Sequence, residues 1–319
     1  MPRKTTTYVL PPSAAVAIRT TLTTMFLLAA CSPADKPPQA PTQPDIAPSD
    51  STVARSLLQR LNTQVWVGTA HNAALLLTQT LYAQRQLPGV KACEELPIHR
   101  FAEVIPAGLA ERPSREATAH YAAVGRSGTP CERADGELLR VVSSFSPQGT
   151  ALLENIEGAV STTSSPGELA IALVPVVASI NRLAEPERTV LLAGAAVAQA
   201  SIEFWHANWT QFAASVEVQY GPCMAAGGSV ETCGGGLAQR PATAGTTARS
   251  SPCHDADWGG FFRSMGLKDL GGAIMGGWAG MFAGGPAGAG TGAVVGGTTA
   301  SLGVAVEAAL RQSACVLAS

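Results

Sequence analysis

Charge is scarce in this chain: Asp, Glu, Lys and Arg make up 14% of its 319 residues, and aromatics only 5%. No cluster of Lys or Arg stands out, and the formal net charge is −2, so a phosphate backbone has nothing to attract it. Nucleic-acid partners are therefore set aside. Sustained alternation of apolar and polar residues is absent as well, which leaves no signal for a half-buried strand. Cysteines in the short paired spacing of zinc sites are lacking, and so is any Ser or Cys motif for an activated nucleophile. No catalytic residue or cofactor is thus singled out, and a periplasmic enzyme or metal-binding protein is the least supported of the readings.

What is present begins with the grammar of an export signal. Arg3, Lys4 and Arg19 form a basic leading region, and the uncharged run from Thr20 to Ala30 is too short for the roughly 20 residues of a spanning helix. The run ends in Leu28-Ala29-Ala30-Cys31, which resembles the lipobox of bacterial lipoproteins. That resemblance implies cleavage before Cys31, diacylglycerol on its thiol and a membrane held through the lipid. Serine at position 32, where aspartate resembles a retention signal, points to the outer membrane of a Gram-negative envelope, facing the periplasm. With 21 basic and 23 acidic residues in all, loss of three basic ones leaves the mature chain five charges negative.

Residues 31–50 are expected to be a tether, since six prolines in the nineteen residues after Cys31 have little to bury and run extended. An all-α body over 51–220 is expected next. Asp50 and Ser51 are placed to cap one long helix carrying Val53, Leu57, Leu61, Val65, Leu77 and Leu81, stopped at Leu87-Pro88-Gly89. Ser165-Pro166-Gly167-Glu168 has the arrangement of a capping box, and the apolar run from Leu169 to Leu183 predicts a central core helix bent at Pro175. A further helix is predicted from about 187 to 219, with shorter ones at 114–124, 134–145 and 148–160. The glycines and prolines of 221–252 read as a linker to a separate tail at 253–319.

Removing Cys31 from seven cysteines leaves Cys93, Cys131, Cys223, Cys233, Cys253 and Cys315. An even count in an oxidising compartment predicts disulfides, and proximity makes Cys93–Cys131, Cys223–Cys233 and Cys253–Cys315 the simplest of the possible pairings.

The most specific pattern lies between Asp269 and Glu307, where 37 consecutive residues carry no charge. Gly272, Gly276, Gly280, Gly284, Gly288, Gly292 and Gly296 recur at every fourth position, and Ala300 continues the row. A four-residue repeat lines one helix face with residues that let another backbone approach. The thirteen glycines of 271–303, at about 1 kcal/mol each, disfavour an isolated helix in water. Gly284-Gly285-Pro286 should break the run into two arms of a hairpin. The row resembles the glycine-zipper segments of Gram-negative envelope lipoproteins and the Gly/Ala-rich tails of some small bacteriocins. That resemblance implies close helix packing on itself, a protein partner or a membrane, and no reaction. A soluble hairpin packed on the body and a hairpin entering lipid both fit it.

Other groups carry less. Glu203-x-x-His206 has the spacing of one half of a helical di-metal site, but its other half is missing. Glu95/His99 and Glu116/His120 are four apart in irregular context. The acids of His254-Asp255-Ala256-Asp257 suit a helix start. His71 reads as a polar residue on a helix face.

Overall fold

A computed structural model describes residues 48–84, 104, 144–228, 233 and 258–318. The expected signal, nearly all of the tether, the stop at 87–89 and the predicted helix at 114–124 lie outside these residues. So does the helix at 134–145, apart from Ser144 and Phe145, which sit in a turn.

Among the described residues there are six helices and no strand: α1 (Pro48–Leu61), α2 (Val65–Ala83), α3 (Pro147–Thr162), α4 (Pro166–Ile180), α5 (Glu187–Ala225) and α6 (Trp258–Ala318). The fold is all-α. Helix starts follow local chemistry. Ser146 caps α3 by accepting from the Gly149 N–H at 3.0 Å, with Pro147 at the first position. Its own N–H and hydroxyl donate to the Glu187 carboxylate at 2.6 and 2.7 Å, tying the start of α3 to that of α5. Ser165 caps α4 through the Glu168 N–H at 3.2 Å. The Glu168 carboxylate reaches one residue further back than an ideal capping box, accepting from the N–H and hydroxyl of Ser164.

The single long helix expected from residue 50 is instead two. Asn62 interrupts it: its side-chain oxygen accepts from the Gln64 N–H at 2.8 Å, and its amide nitrogen donates to the Leu192 carbonyl at 2.9 Å. A local turn and a bond to a distant helix outcompete continuation. The buried stripe of α1 is also one residue out of register with the expected one. Ala54 and Leu58 are buried, whereas Val53 and Val65 are exposed.

The central helix is α5 rather than α4. Every residue from Thr189 to Ala198 is buried, while α4 buries Leu169, Ala170, Leu173, Val177 and Ile180 and leaves Ile171 in solvent. An apolar run alone does not distinguish the two, because α4 covers the body as an outer layer. Helix α5 also runs on to Ala225 through Pro222, into the stretch expected as linker.

Two apolar clusters flank α5. One joins α2, α5 and α6 through Leu75, Tyr82, Trp205, Phe212, Val294 and Leu310. Edge-to-face contacts of Phe212 with Trp205 (5.0 Å) and Tyr82 (6.0 Å) knit it together, each pair contributing roughly 0.5–1.5 kcal/mol beyond burial. The other cluster joins α1, α3, α4, α5 and the first part of α6 through Leu58, Ile156, Leu169, Leu173, Leu191 and Ile274. The described residues group as one unit, and the tail segment shares both clusters with the body.

Candidate functional site

Helix α6 is two arms. Gly284 (φ −153°, ψ 20°) and Gly285 (φ 62°, ψ −152°) leave the helical region, and the positive φ of Gly285 is one that side-chain-bearing residues rarely adopt. Proline at 286 then opens the second arm at a position where its missing N–H costs no helical bond. The arms fold back antiparallel.

The glycine row makes this contact. A Cβ on Gly272 would overlap the Gly296 carbonyl and come within 2.7 Å of the Ala300 Cβ. One on Gly292 would overlap the Gly276 carbonyl, and Gly280 and Gly288 would each overlap the other's carbonyl. Gly272, Gly276 and Gly280 of the first arm thus face Gly296, Gly292 and Gly288 of the second, backbone against backbone. Gly284, the seventh of the row, makes the turn instead. Such close approach gains dispersion and Cα–H···O contacts that offset the low helical preference of glycine.

The hairpin also fits the body through glycines outside that row. Gly266 lies against Ile202, Gly194 of α5 against Ile274 and Leu270, and a Cβ on Gly277 would come about 3.5 Å from Val190, so the first arm runs antiparallel to α5. Gly290 is filled by the Trp66 ring and Gly297 abuts His71, so the second arm follows α2. Most of residues 288–306 are buried.

At the base of the uncharged run sits a polar clasp. Asp269 and His71 are both fully buried, with His71 Nε2 3.2 Å from Asp269 Oδ2. The alignment is poor for a hydrogen bond, so the contact is chiefly electrostatic. The same oxygen accepts from the Ser201 hydroxyl at 2.6 Å and from Trp205 Nε1 at 3.4 Å, while His71 Nδ1 lies 3.1 Å from Asn72 Oδ1. One carboxylate on the hairpin is thereby tied to α2 and α5. Ser201, His71 and Asp269 are the residue types of a hydrolytic triad in the wrong order: serine meets the acid and not the imidazole, and all are sealed from solvent. The arrangement holds structure and lacks the geometry for nucleophilic chemistry. Reading His71 as a polar residue on a helix face is corrected here. Its place among Ala70, Ala74 and Leu75 was the available signal, and Asp269, the last charge before the run, was its partner.

The remaining predicted groups divide as follows. Cys223 and Cys233 form a disulfide with Cα atoms 5.7 Å apart, closing the end of α5. Cys315 lies on the second arm, and Cys31, Cys93, Cys131 and Cys253 lie outside the described residues, as do Glu95, His99, Glu116, His120 and 254–257. Glu203 pairs with Arg55 at 3.2 Å and accepts from Gln199 at 2.8 Å, while His206 packs on Phe262 with ring centres 5.6 Å apart. Both line a side groove of about 530 Å³ floored by Gly68, Ala196 and Ala200, where α2 and α5 nearly touch. Among the described residues no three His, Cys, Asp or Glu side chains gather as a metal site would require.

The far end of the hairpin is different in kind. Phe282 is 78% exposed, and Trp278 and Met281 beside it are only partly covered. Trp278 is held edge-on between Phe145 (5.0 Å) and Phe282 (5.9 Å). Comparison with family models, with curated proteins and with solved structures finds no match to this chain.

Proposed function

We propose that the chain is an exported, lipid-anchored envelope protein of structural or interaction type, in which the glycine hairpin forms the rigid centre and the surrounding helices present the working surfaces. The observation that carries this reading is the hairpin itself. The two uncharged arms meet glycine against glycine and are mostly enclosed by the body, and Asp269, the charge that precedes the run, is spent on a buried clasp. An enzyme would be expected to aim such a polar cluster at a cavity, whereas here it faces core. The lipobox supports the anchor, and the outer membrane facing the periplasm is the proposed site.

The test is the mature amino terminus. Expressed in a Gram-negative host, the chain should yield a lipid-modified peptide beginning at Cys31 and fractionate with outer membrane. Cys31→Ala should abolish both. An unmodified soluble periplasmic chain would remove the anchor from the reading.

A second reading is favoured by the exposed Phe282: a membrane-active protein whose hairpin leaves the body and enters lipid. Both α5 and the 259–312 segment are apolar and long enough to cross a bilayer, although each is mostly buried in the fold. Dye release from vesicles by the purified chain would favour this reading, and intact vesicles would leave the hairpin as core.

A further inference from the structure

The geometry points to the hairpin apex as a second membrane contact, a shallow docking surface for a lipid bilayer carried by Trp278, Met281 and Phe282. The inference rests on the membrane-facing reading above and deepens it by naming where the folded body touches lipid. Among the described residues Phe282 is the most exposed large apolar side chain, and it lies on the last helical turn before the Gly284-Gly285 break. Phe282 has no charged residue within twelve positions on either side, so nothing on the apex resists entry into the headgroup–acyl boundary. Trp278 supplies the amphipathic ring favoured at that depth.

Neighbouring elements complete the surface. The Asn181 amide donates to the Leu61 carbonyl at 2.9 Å, Phe145 meets Trp278 edge-on, and Ser146 donates to Glu187. These contacts gather the ends of α1 and α4, the starts of α3 and α5, and the apex at one end of the molecule. Arg60 and Arg182 are exposed there, while the acids of the same end are engaged, Glu185 with Arg188 and Glu187 with Ser146. An apolar tip with a cationic margin complements anionic lipid. A protein partner would need polar side chains on the tip to set its register, and the side chains of Trp278, Met281 and Phe282 offer only one ring N–H. Docking is shallow because the turn's non-helical backbone would be left unpaired at the bilayer centre.

Tryptophan emission tests this on the full mature chain, bound to vesicles of phosphatidylcholine and phosphatidylglycerol with brominated acyl chains. The expected result is a quenched component that disappears in Trp278→Phe. It should also be lost in Phe282→Asp and retained in Phe282→Leu, with both variants keeping the circular dichroism of the parent. A chain that sits on the vesicles with Trp278 unquenched overturns the inference, and so does a chain that fails to bind. Concentration-dependent dimers lost in Phe282→Asp, without quenching, would instead assign the apex to a second copy. Lipidation is read separately from the mass of the Cys31 peptide, so loss of the anchor and loss of the apex contact are distinguishable.

Discussion

Two donors, from Ser201 and Trp205, converge on one oxygen of Asp269, and the His71 ring nitrogen lies beside it, each residue on a helix the hairpin must dock against. Removing the carboxylate strands all three in the core. Asp269→Ala should therefore destabilise the fold by about 3 kcal/mol, read as a lower urea midpoint. Replacing His71 and Asp269 together by Leu should cost less than the two single changes summed, since the double variant leaves no unpaired charge. A second residue-scale expectation concerns Glu168. Bonds from the Ser164 N–H and hydroxyl hold its carboxyl below the ordinary range, against a smaller opposing effect of burial. The unfolded chain then binds the extra proton more readily, so this stabilisation is present above the unfolded pKa and is lost as pH falls through the folded one. Glu168→Gln should flatten the acid-side loss of stability below about pH 4.5. An unchanged slope of urea midpoint against pH would contradict the assignment.

At the scale of the element, glycines divide by what faces them. Gly292→Ala places a methyl into the Gly276 carbonyl, which belongs to backbone and cannot swing aside, so a loss of about 1–3 kcal/mol is expected. Gly158 on α3 has open space around it, and Gly158→Ala should stabilise by about 0.5–1 kcal/mol through helix preference alone. Thermal melts of the pair read the contrast directly, and equal effects would mean that the row has no packing role. The two glycines show what was legible in the sequence. A four-residue repeat with a Gly-Gly-Pro break specifies a hairpin with a bare face, and Ser165-Pro166 specifies a helix start, because both signals are local. The interruption at Asn62 was not legible, since half its cause is the Leu192 carbonyl 130 residues away. The central place of α5 was likewise hidden: α4 is as apolar in sequence, and only packing decides which helix is enclosed.

Across the whole molecule, the hairpin is where the body closes. Its first arm lies against α5, its second against α2, and both apolar clusters need it. The clasp and the side groove were not legible for the same reason. His71 and Asp269 are nearly 200 residues apart in the chain, and no local pattern joins them. A body completed by its own apolar hairpin should unfold as one unit, the second arm together with α5. Hydrogen–deuterium exchange on the intact chain measures this most directly. The account predicts that the amides of residues 288–306 exchange as slowly as those of α5, at rates set by global unfolding. Rapid exchange through 288–306 while α5 stays protected would mean that the hairpin is an appendage, and would contradict the claim that it is the core.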